Sequence, residues 1–347
     1  MPDLNIAVIG AGIIGRTHVE TLPRVAGLRL AAVVDPNAEA ARLAEAHGAP
    51  WYADPGAVIE AGLADAAIIA SPNDTHMAIA GELLRAGLPV LVEKPLAGSL
   101  AEGEALLRAE VEAGLPVLVG HHRRHNPIIK AAKAAIEAGR LGELVTATVM
   151  STLAKPSAYF DVSWRRTPGA GGPLAINLIH EVDLLRHFWG EVAEVRAVTS
   201  NARRGFAVED TAAAILTFGA GGIASVSVTD AGAGPWAWDV SAGENPARFP
   251  AHDVYAHAYA GTRAGLSLPD LALWSHPGAP DWTAEMTREV LPHTAADPYV
   301  VQLEHFAAVV RGEADPLVSA ADGLANMRVI EAIRRAAGTG TPQSPQP

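Results

Sequence analysis

Short apolar runs alternate with helical patterns along the first third of the chain. Leu4–Ile9 and Leu28–Val34 are continuous runs of strand length, and Ala66–Ala70, Pro89–Val92 and Val117–Val119 repeat the signal. Between them, Ile13–Val25 and Ala38–His47 carry helical spacing, the first stopped by Gly27. Strands that are apolar on both faces belong to parallel sheets covered by helices on each side. The alternation therefore predicts a doubly wound α/β domain over residues 1–122.

After Asn126-Pro127 the pattern changes. A helix over Ile128–Ala138 ends at Gly139, a strand follows at Val145–Thr152, and the loop TPGAGG leads into a helix over Leu174–Phe188. From Val192 to Leu268 strand patterns succeed one another as AEVRAVTS, AAAILTFG, GIASVSVT and WAWDVSA, with turns such as GAGG and AGAG between several of them. Consecutive strands with short turns predict a mostly antiparallel sheet, so residues 123–340 read as an α+β domain. Two closing helices, near Val301–Arg311 and Ala320–Ala337, precede a polar, Pro-rich tail over 341–347 that is expected to lack order.

Composition narrows the function classes. The 347 residues suit two domains at roughly 100–200 residues each, and a hydrophobic share of 49% requires a packed core. Lys+Arg 26 against Asp+Glu 38 leaves a net charge of −12, which opposes binding to nucleic acid or to an anionic membrane surface. No apolar run approaches the ~18 residues of a membrane helix. The opening MPDLNIAVIGAGIIG lacks a basic n-region, so no signal peptide is expected and a cytoplasmic enzyme is the expectation. With Cys 0, disulfides, thiolate metal sites and cysteine nucleophiles drop out together.

The first strand runs into Gly10-Ala11-Gly12-Ile13-Ile14-Gly15, a GxGxxG that opens a helix, and Asp35 lies twenty residues past Gly15 at the end of the second strand. This is the dinucleotide fingerprint of a Rossmann domain. Gly10 permits the tight turn, Gly12 lets a pyrophosphate approach the backbone, and Gly15 lets helix and strand pack closely. The helix N-terminus offers N–H donors and partial positive charge to phosphate. A carboxylate at Asp35 accepts hydrogen bonds from the ribose hydroxyls of NAD and repels the 2′-phosphate of NADP, so NAD is favoured. Two further strand ends point into the same crevice: Ser71-Pro72-Asn73-Asp74-Thr75-His76, and Glu93-Lys94-Pro95 after PVLV. Ser71, Pro72, Asn73, His76, Glu93 and Lys94 are thus candidate cofactor contacts, although Asp74 and Thr75 read equally well as a helix cap.

These motifs, followed by VGHHRRHNP, WRR and GGPLAINLIHEVDLLRHFWG, resemble the Gfo/Idh/MocA family of NAD(P)-dependent oxidoreductases over nearly the whole chain. The resemblance implies a Rossmann domain and a C-terminal α/β domain with a large open sheet, through which many members pair as dimers or tetramers. It implies hydride transfer at a hydroxyl or carbonyl of a sugar, inositol or related polyol. It also implies Lys94 as the active-site lysine and His180 as the acid/base. Where many members carry an Asp four residues before that His, this chain has Ile176, with Asn177 beside it. The same family includes NAD-dependent glycosidases that oxidise only transiently, and a silent nucleotide-binding regulator is a further alternative.

The chemistry suits those residue types. Oxidising an alcohol needs a group to take the hydroxyl proton, and a neutral His near pH 7 does this, typically contributing about 10²–10⁴-fold. A neighbouring ammonium, Lys94, stabilises the developing alkoxide. Asn177 and Asp183 each lie three residues from His180 and share its helix face, as candidate substrate contacts. His121-His122-Arg123-Arg124-His125 lacks carboxylate or Cys partners at metal-ligand spacing, so no metal is expected, and Arg123 is a candidate substrate contact. Trp164 and Arg165 are candidate substrate and cofactor contacts. Trp236 and Trp238 alternate on the last strand pattern and are expected to face one side.

Overall fold

The computed structural model describes residues 2–346. The chain divides into two compact units: Met1–His125 with Ala296–Met327, and Asn126–Ala295 with Arg328–Pro347.

The first unit is built on β1 (Leu4–Ile9), β2 (Leu28–Val34), β3 (Trp51–Tyr52), β4 (Ala66–Ile69), β5 (Val90–Val92) and β6 (Val117–Val119). They form one parallel sheet in the order β3-β2-β1-β4-β5-β6. The helices between them are α1 (Ile13–Thr21), α2 (Ala40–Ala46), α3 (Pro55–Ala61), α4 (His76–Arg85) and α5 (Leu100–Ala113). Local chemistry sets several of their ends. Asp54 accepts from the Ala57 N–H at the start of α3, Ser99 accepts from Glu102 N–H at the start of α5, and Gly62 and Gly114 close these helices in the left-handed conformation.

Neighbouring strand residues face opposite sides, and both sides are buried. Ala7, Ile9, Ile69, Val92 and Val119 pack into one core, and Ile6, Val8, Ile68, Leu91 and Leu118 into the other. The segment 296–327, expected to belong to the second domain, supplies part of each cover. Phe306 and Leu303 of helix Pro298–Val310 lie on one face, and Val318, Ala320 and Leu324 lie on the other. Withdrawing Phe306 alone from water stabilises by about 1.5–3 kcal/mol, which is why this distant segment is bound to the sheet.

In the second unit, α6 (Pro127–Glu137), β7 (Leu144–Thr152), a π-helical turn over Leu174–Leu178 and α7 (Ile179–Trp189) come first. β8 (Val192–Ser200), β9 (Thr211–Phe218), β10 (Ile223–Thr229) and the short α8 (Trp238–Ser241) follow. Then come β11 (His257–Gly261), β12 (Ala264–Leu268), β13 (Ala272–Ser275) and β14 (Thr287–Val290). The eight strands order as β14-β13-β12-β11-β7-β10-β9-β8, antiparallel except where β10 runs parallel to β7. In β9, Ala212, Ala214, Leu216 and Phe218 are buried while the residues between them are not, so this strand has one covered face.

Two expectations fail here. WAWDVSA forms no strand: Trp238 starts α8 and is fully buried, Trp236 is 43% exposed, and the two do not share a face. The Ser241 hydroxyl donates to Ala237 O and holds the segment in a helical turn, and β11–β14 complete the sheet instead. The tail expected to lack order pairs with the sheet, because Gln343 exchanges backbone hydrogen bonds of 2.8 and 2.9 Å with Val195. Edge strand β8 offers unpaired N–H and C=O groups, and the tail satisfies some of them. Pro347 lies outside the described residues.

Candidate active site

The nucleotide cradle forms where β1 gives way to α1. Gly10 has φ +97°, and a Cβ there would stand 2.6 Å from the Ala70 carbonyl, so β4 leaves no room for a side chain. At Gly15 a Cβ would collide with the Gly10 carbonyl oxygen. Gly12, the N-cap of α1, meets the opposite condition: nothing lies within 4 Å of a Cβ placed there, and no side chain caps the helix. Uncapped N–H groups facing open space are what a pyrophosphate requires. Ile13 is 56% exposed and Ile14 half-buried beside this opening.

Asp35 locks the cradle to β2. Its carboxylate accepts from Ala11 N–H at 2.7 Å and from Asn37 N–H at 2.8 Å, and its carbonyl accepts from the Trp51 indole at 3.0 Å. Each carboxylate oxygen has a second lone pair for a ribose hydroxyl. Arg16 and Arg42 line the same cleft. The residues present therefore fit a dinucleotide: glycine backbone for the phosphates and Asp35 for the ribose.

The ends of β4 and β5 meet on the same side of the sheet. Ser71 and Thr75 share a hydrogen bond of 2.6 Å, Pro72 is exposed and Asn73 half-buried. His76 is fully buried, with its ring nitrogens 2.9 Å from Pro95 O and 3.0 Å from Ser71 O. Burial draws its pKa below the ordinary histidine value, and a neutral ring can donate to only one of those carbonyls. It braces the two strand exits and would influence a cofactor through them.

Glu93 is buried, its carboxylate 2.8 Å from His18 Nε2 of α1 and 3.3 Å from the Lys94 N–H. Burial alone would raise this carboxyl. The hydrogen bond and charge of His18, helped by His122 and Lys94, outweigh it, and Glu93 titrates below the usual carboxylate range. Gly120 makes the space, since a Cβ there would lie 2.8 Å from the Glu93 carboxyl carbon. Lys94, half-buried, follows at the carboxyl end of β5.

The basic segment before Asn126 is occupied by the segment 296–327. His121 meets Asn326 at 3.1 Å, His122 stacks on Tyr299, and His125 meets His305 at 2.9 Å. Arg124 donates to Leu317 O and lies 3.6 Å from Asp322. Arg123, the candidate substrate contact, is 2% exposed. Among the described residues no group of three or more His, Cys, Asp or Glu could hold a metal.

In the second unit, Asn177 lies within the π-helical turn and His180 stands in the first turn of α7, both buried. Asp183 is buried one turn further on. Such a wide turn re-aims side chains relative to an uninterrupted α-helix and is frequent at functional positions. Glu209 holds its start by accepting from Leu174 N–H at 3.1 Å, and burial raises the Glu209 carboxyl. Trp164 is 41% exposed, and Arg165 lies over the Tyr159 ring at 4.0 Å while donating to Tyr159 O.

Sequence reasoning missed three groups here. Lys155 donates to Asn177 Oδ1 at 2.7 Å and approaches Asp230 at 4.0 Å. Arg204 pairs with Asp230 at 2.7 Å, and burial nevertheless raises the Asp230 carboxyl. The Glu181 carboxylate of α7 lies 2.9 Å from His257 of β11, and His257 meets the Tyr259 hydroxyl at 3.1 Å. Burial, reinforced by Glu181, pushes Tyr259 well above its ordinary pKa. Only proximity in space marks these groups; no spacing in the chain announces them.

Two family models match. Residues 4–121 fit that of the oxidoreductase family with an NAD-binding Rossmann fold, and residues 133–344 fit its C-terminal alpha/beta domain. The chain is 31% identical to Inositol 2-dehydrogenase 1 of Saccharopolyspora erythraea, over 98% of this chain and 95% of that one. With Inositol 2-dehydrogenase 2 of the same organism the identity is 34%, but the match spans 60% of each chain. The structure of an oxidoreductase domain protein from Kribbella flavida superposes with a TM-score of 0.82 at 24% identity, covering 100% of both chains. With both of its domain models matched in order, and with the glycine cradle and Asp35 in place, the chain belongs to the Gfo/Idh/MocA family of NAD-binding oxidoreductases.

Proposed function

We propose that this oxidoreductase acts on a hydroxyl of a sugar, inositol or related polyol, with Lys94 and His180 sharing the work at the reacting oxygen. The observation that carries this is the place of Lys94: the carboxyl end of β5, on the same sheet end as the nucleotide cradle, beside the buried Glu93–His18 pair. NAD is held by the N–H groups behind Gly12 and by Asp35, with Ile13, Ile14, Ser71, Pro72 and Asn73 around it. Its nicotinamide supplies the acceptor or donor of the hydride. His180 takes the hydroxyl proton as the alcohol is oxidised, and returns it in the opposite direction. The Lys94 ammonium stabilises negative charge on that oxygen. Asn177, Asp183, Arg123 and Trp164 contribute to substrate binding, and Arg165 to the cofactor. The names of the full-length relatives support the polyol class.

A homodimer or homotetramer pairing through the open face of the eight-stranded sheet belongs to the same proposal. The exposed Val198, Ile215 and Ile223 and the small Thr148, Ala213 and Ser227 give that face an apolar share, with Arg196 and Glu194 as its charged residues on β8. A cytoplasmic location, with its NAD supply, accords with this activity.

The test is absorbance at the reduced-nicotinamide band, with NAD or NADP against sugars, inositols and sugar acids. Net NADH accumulation with NAD preferred is expected; turnover without it would indicate transient oxidation as in a glycosidase. Lys94→Ala and His180→Ala should each cost about 10²–10⁴-fold in kcat. Unchanged turnover in both would overturn the assignment.

A further inference from the structure

We propose that His76 is a positioning residue with two separable tasks: through Ser71 O it sets the fit of the cofactor, and through Pro95 O it sets the place of Lys94. This rests on the dehydrogenase reading above and deepens it.

His76 opens α4 and is fully buried, with its ring against both strand exits. Nε2 stands 3.0 Å from Ser71 O and Nδ1 stands 2.9 Å from Pro95 O. Burial favours the neutral ring, which has one proton for the two carbonyls. One carbonyl is drawn to the N–H, and the other stands against the bare nitrogen. The planar ring thus fixes the spacing of the two exits whichever nitrogen is protonated.

Each exit is tied so that it passes a displacement on. On the β4 side, Ser71 Oγ meets Thr75 Oγ1 at 2.6 Å. Thr75 donates to Pro72 O through its hydroxyl at 2.7 Å and through its N–H at 2.9 Å. A shift of Ser71 therefore carries Pro72 and Asn73 with it. The same Ser71 backbone closes on the glycine cradle, where its nitrogen lies 2.7 Å from the position of a Gly10 Cβ. On the β5 side, the Lys94 N–H meets the Glu93 carboxylate at 3.3 Å, and Glu93 is paired with His18. His76 meets the Pro95 carbonyl on the other side of Lys94, so the lysine backbone is bracketed along the chain. Gly98 then packs on the β4 exit, since a Cβ there would stand 3.0 Å from Asp74 Cα.

The experiment divides the ring between two amides. His76→Asn places its amide near the Nδ1 position, so it keeps the Pro95 contact and releases Ser71. His76→Gln reaches the Nε2 position, so it keeps Ser71 and releases Pro95. For the intact protein and both variants, calorimetry measures NAD affinity, and NADH formation with myo-inositol, D-glucose and D-gluconate measures kcat. His76→Asn should raise the NAD Kd about 10-fold and leave kcat within about threefold. His76→Gln should lower kcat about 10- to 100-fold and leave the NAD Kd within about threefold. A residue needed only for packing moves both quantities in both variants, or neither. Either pattern overturns the proposal, as does the reverse assignment or a failure of both variants to fold. If no compound of the wider screen yields NADH, the dehydrogenase reading fails instead. The rate at which acetic anhydride labels Lys94, followed by peptide mass spectrometry, then replaces kcat. A rate altered by His76→Gln alone supports the positioning role; a rate that His76→Gln leaves unaltered, or that both variants alter equally, overturns it.

Discussion

The two units build their candidate chemistry in opposite ways. In the first, the nucleotide cradle comes from residues 10–35, a strand, a turn, a helix and the next strand end, and backbone groups do most of the work. In the second, Lys155, Asn177, Arg204 and Asp230 are spread over residues 155–230 and meet only as side chains. A backbone site depends on conformations that glycine alone tolerates, so it leaves a local signature. A side-chain site depends on packing and leaves none.

The contrast can be broken most severely at Gly15. A Cβ there collides with the Gly10 carbonyl, so Gly15→Ala should weaken NAD binding more than 100-fold, on the order of 3 kcal/mol, by displacing the turn. Gly12→Ala, whose Cβ meets open space, should keep the fold and lose affinity only where phosphate approaches. Calorimetric titration of both variants with NAD measures the difference; wild-type affinity in both would mean the cradle is not the phosphate site.

In the second unit the corresponding strain is on a buried pair. Glu181→Ala leaves His257 without its carboxylate and should cost about 1–3 kcal/mol, lowering the Tm by several degrees. NAD affinity should change far less. A variant that melts normally would show that the pair contributes little to this unit.

The smallest effect is one of pH, in the first unit. Glu93 has a folded pKa lowered from 4.5, so its contribution to stability is complete above 4.5 and is lost as pH falls through the lower folded value. His18→Ala removes the hydrogen bond chiefly responsible and should move the acid-unfolding midpoint, followed by circular dichroism, to higher pH. An unmoved midpoint would remove the Glu93–His18 pair from the account.

Legibility in the chain follows the same division. Five of the six parallel strands were readable because both faces are buried and each is a continuous apolar run, whereas the two-residue β3 is half-buried and left no such run; Gly10–Gly15 with Asp35 was readable because its spacing is local. WAWDVSA misled because two tryptophans at alternate positions satisfy the period of a strand, yet only Trp238 is buried and the segment turns helical with the Ser241 hydroxyl on Ala237 O. The basic run before Asn126 looked available for substrate, but Tyr299, His305, Leu317, Asp322 and Asn326, some 175–205 positions away, take up most of it.

By itself, the sequence pointed to the family, to five of the six strands of the parallel sheet and to the nucleotide cradle, since these rest on periodicity and on backbone conformations tied to particular residues. Only the tertiary structure decided that 296–327 covers the first sheet, that the tail edges the second, and that Lys155 stands against Asn177. Each of these is a contact between segments far apart in the chain, made where burying apolar surface or pairing a polar group outweighs the entropy of bringing them together.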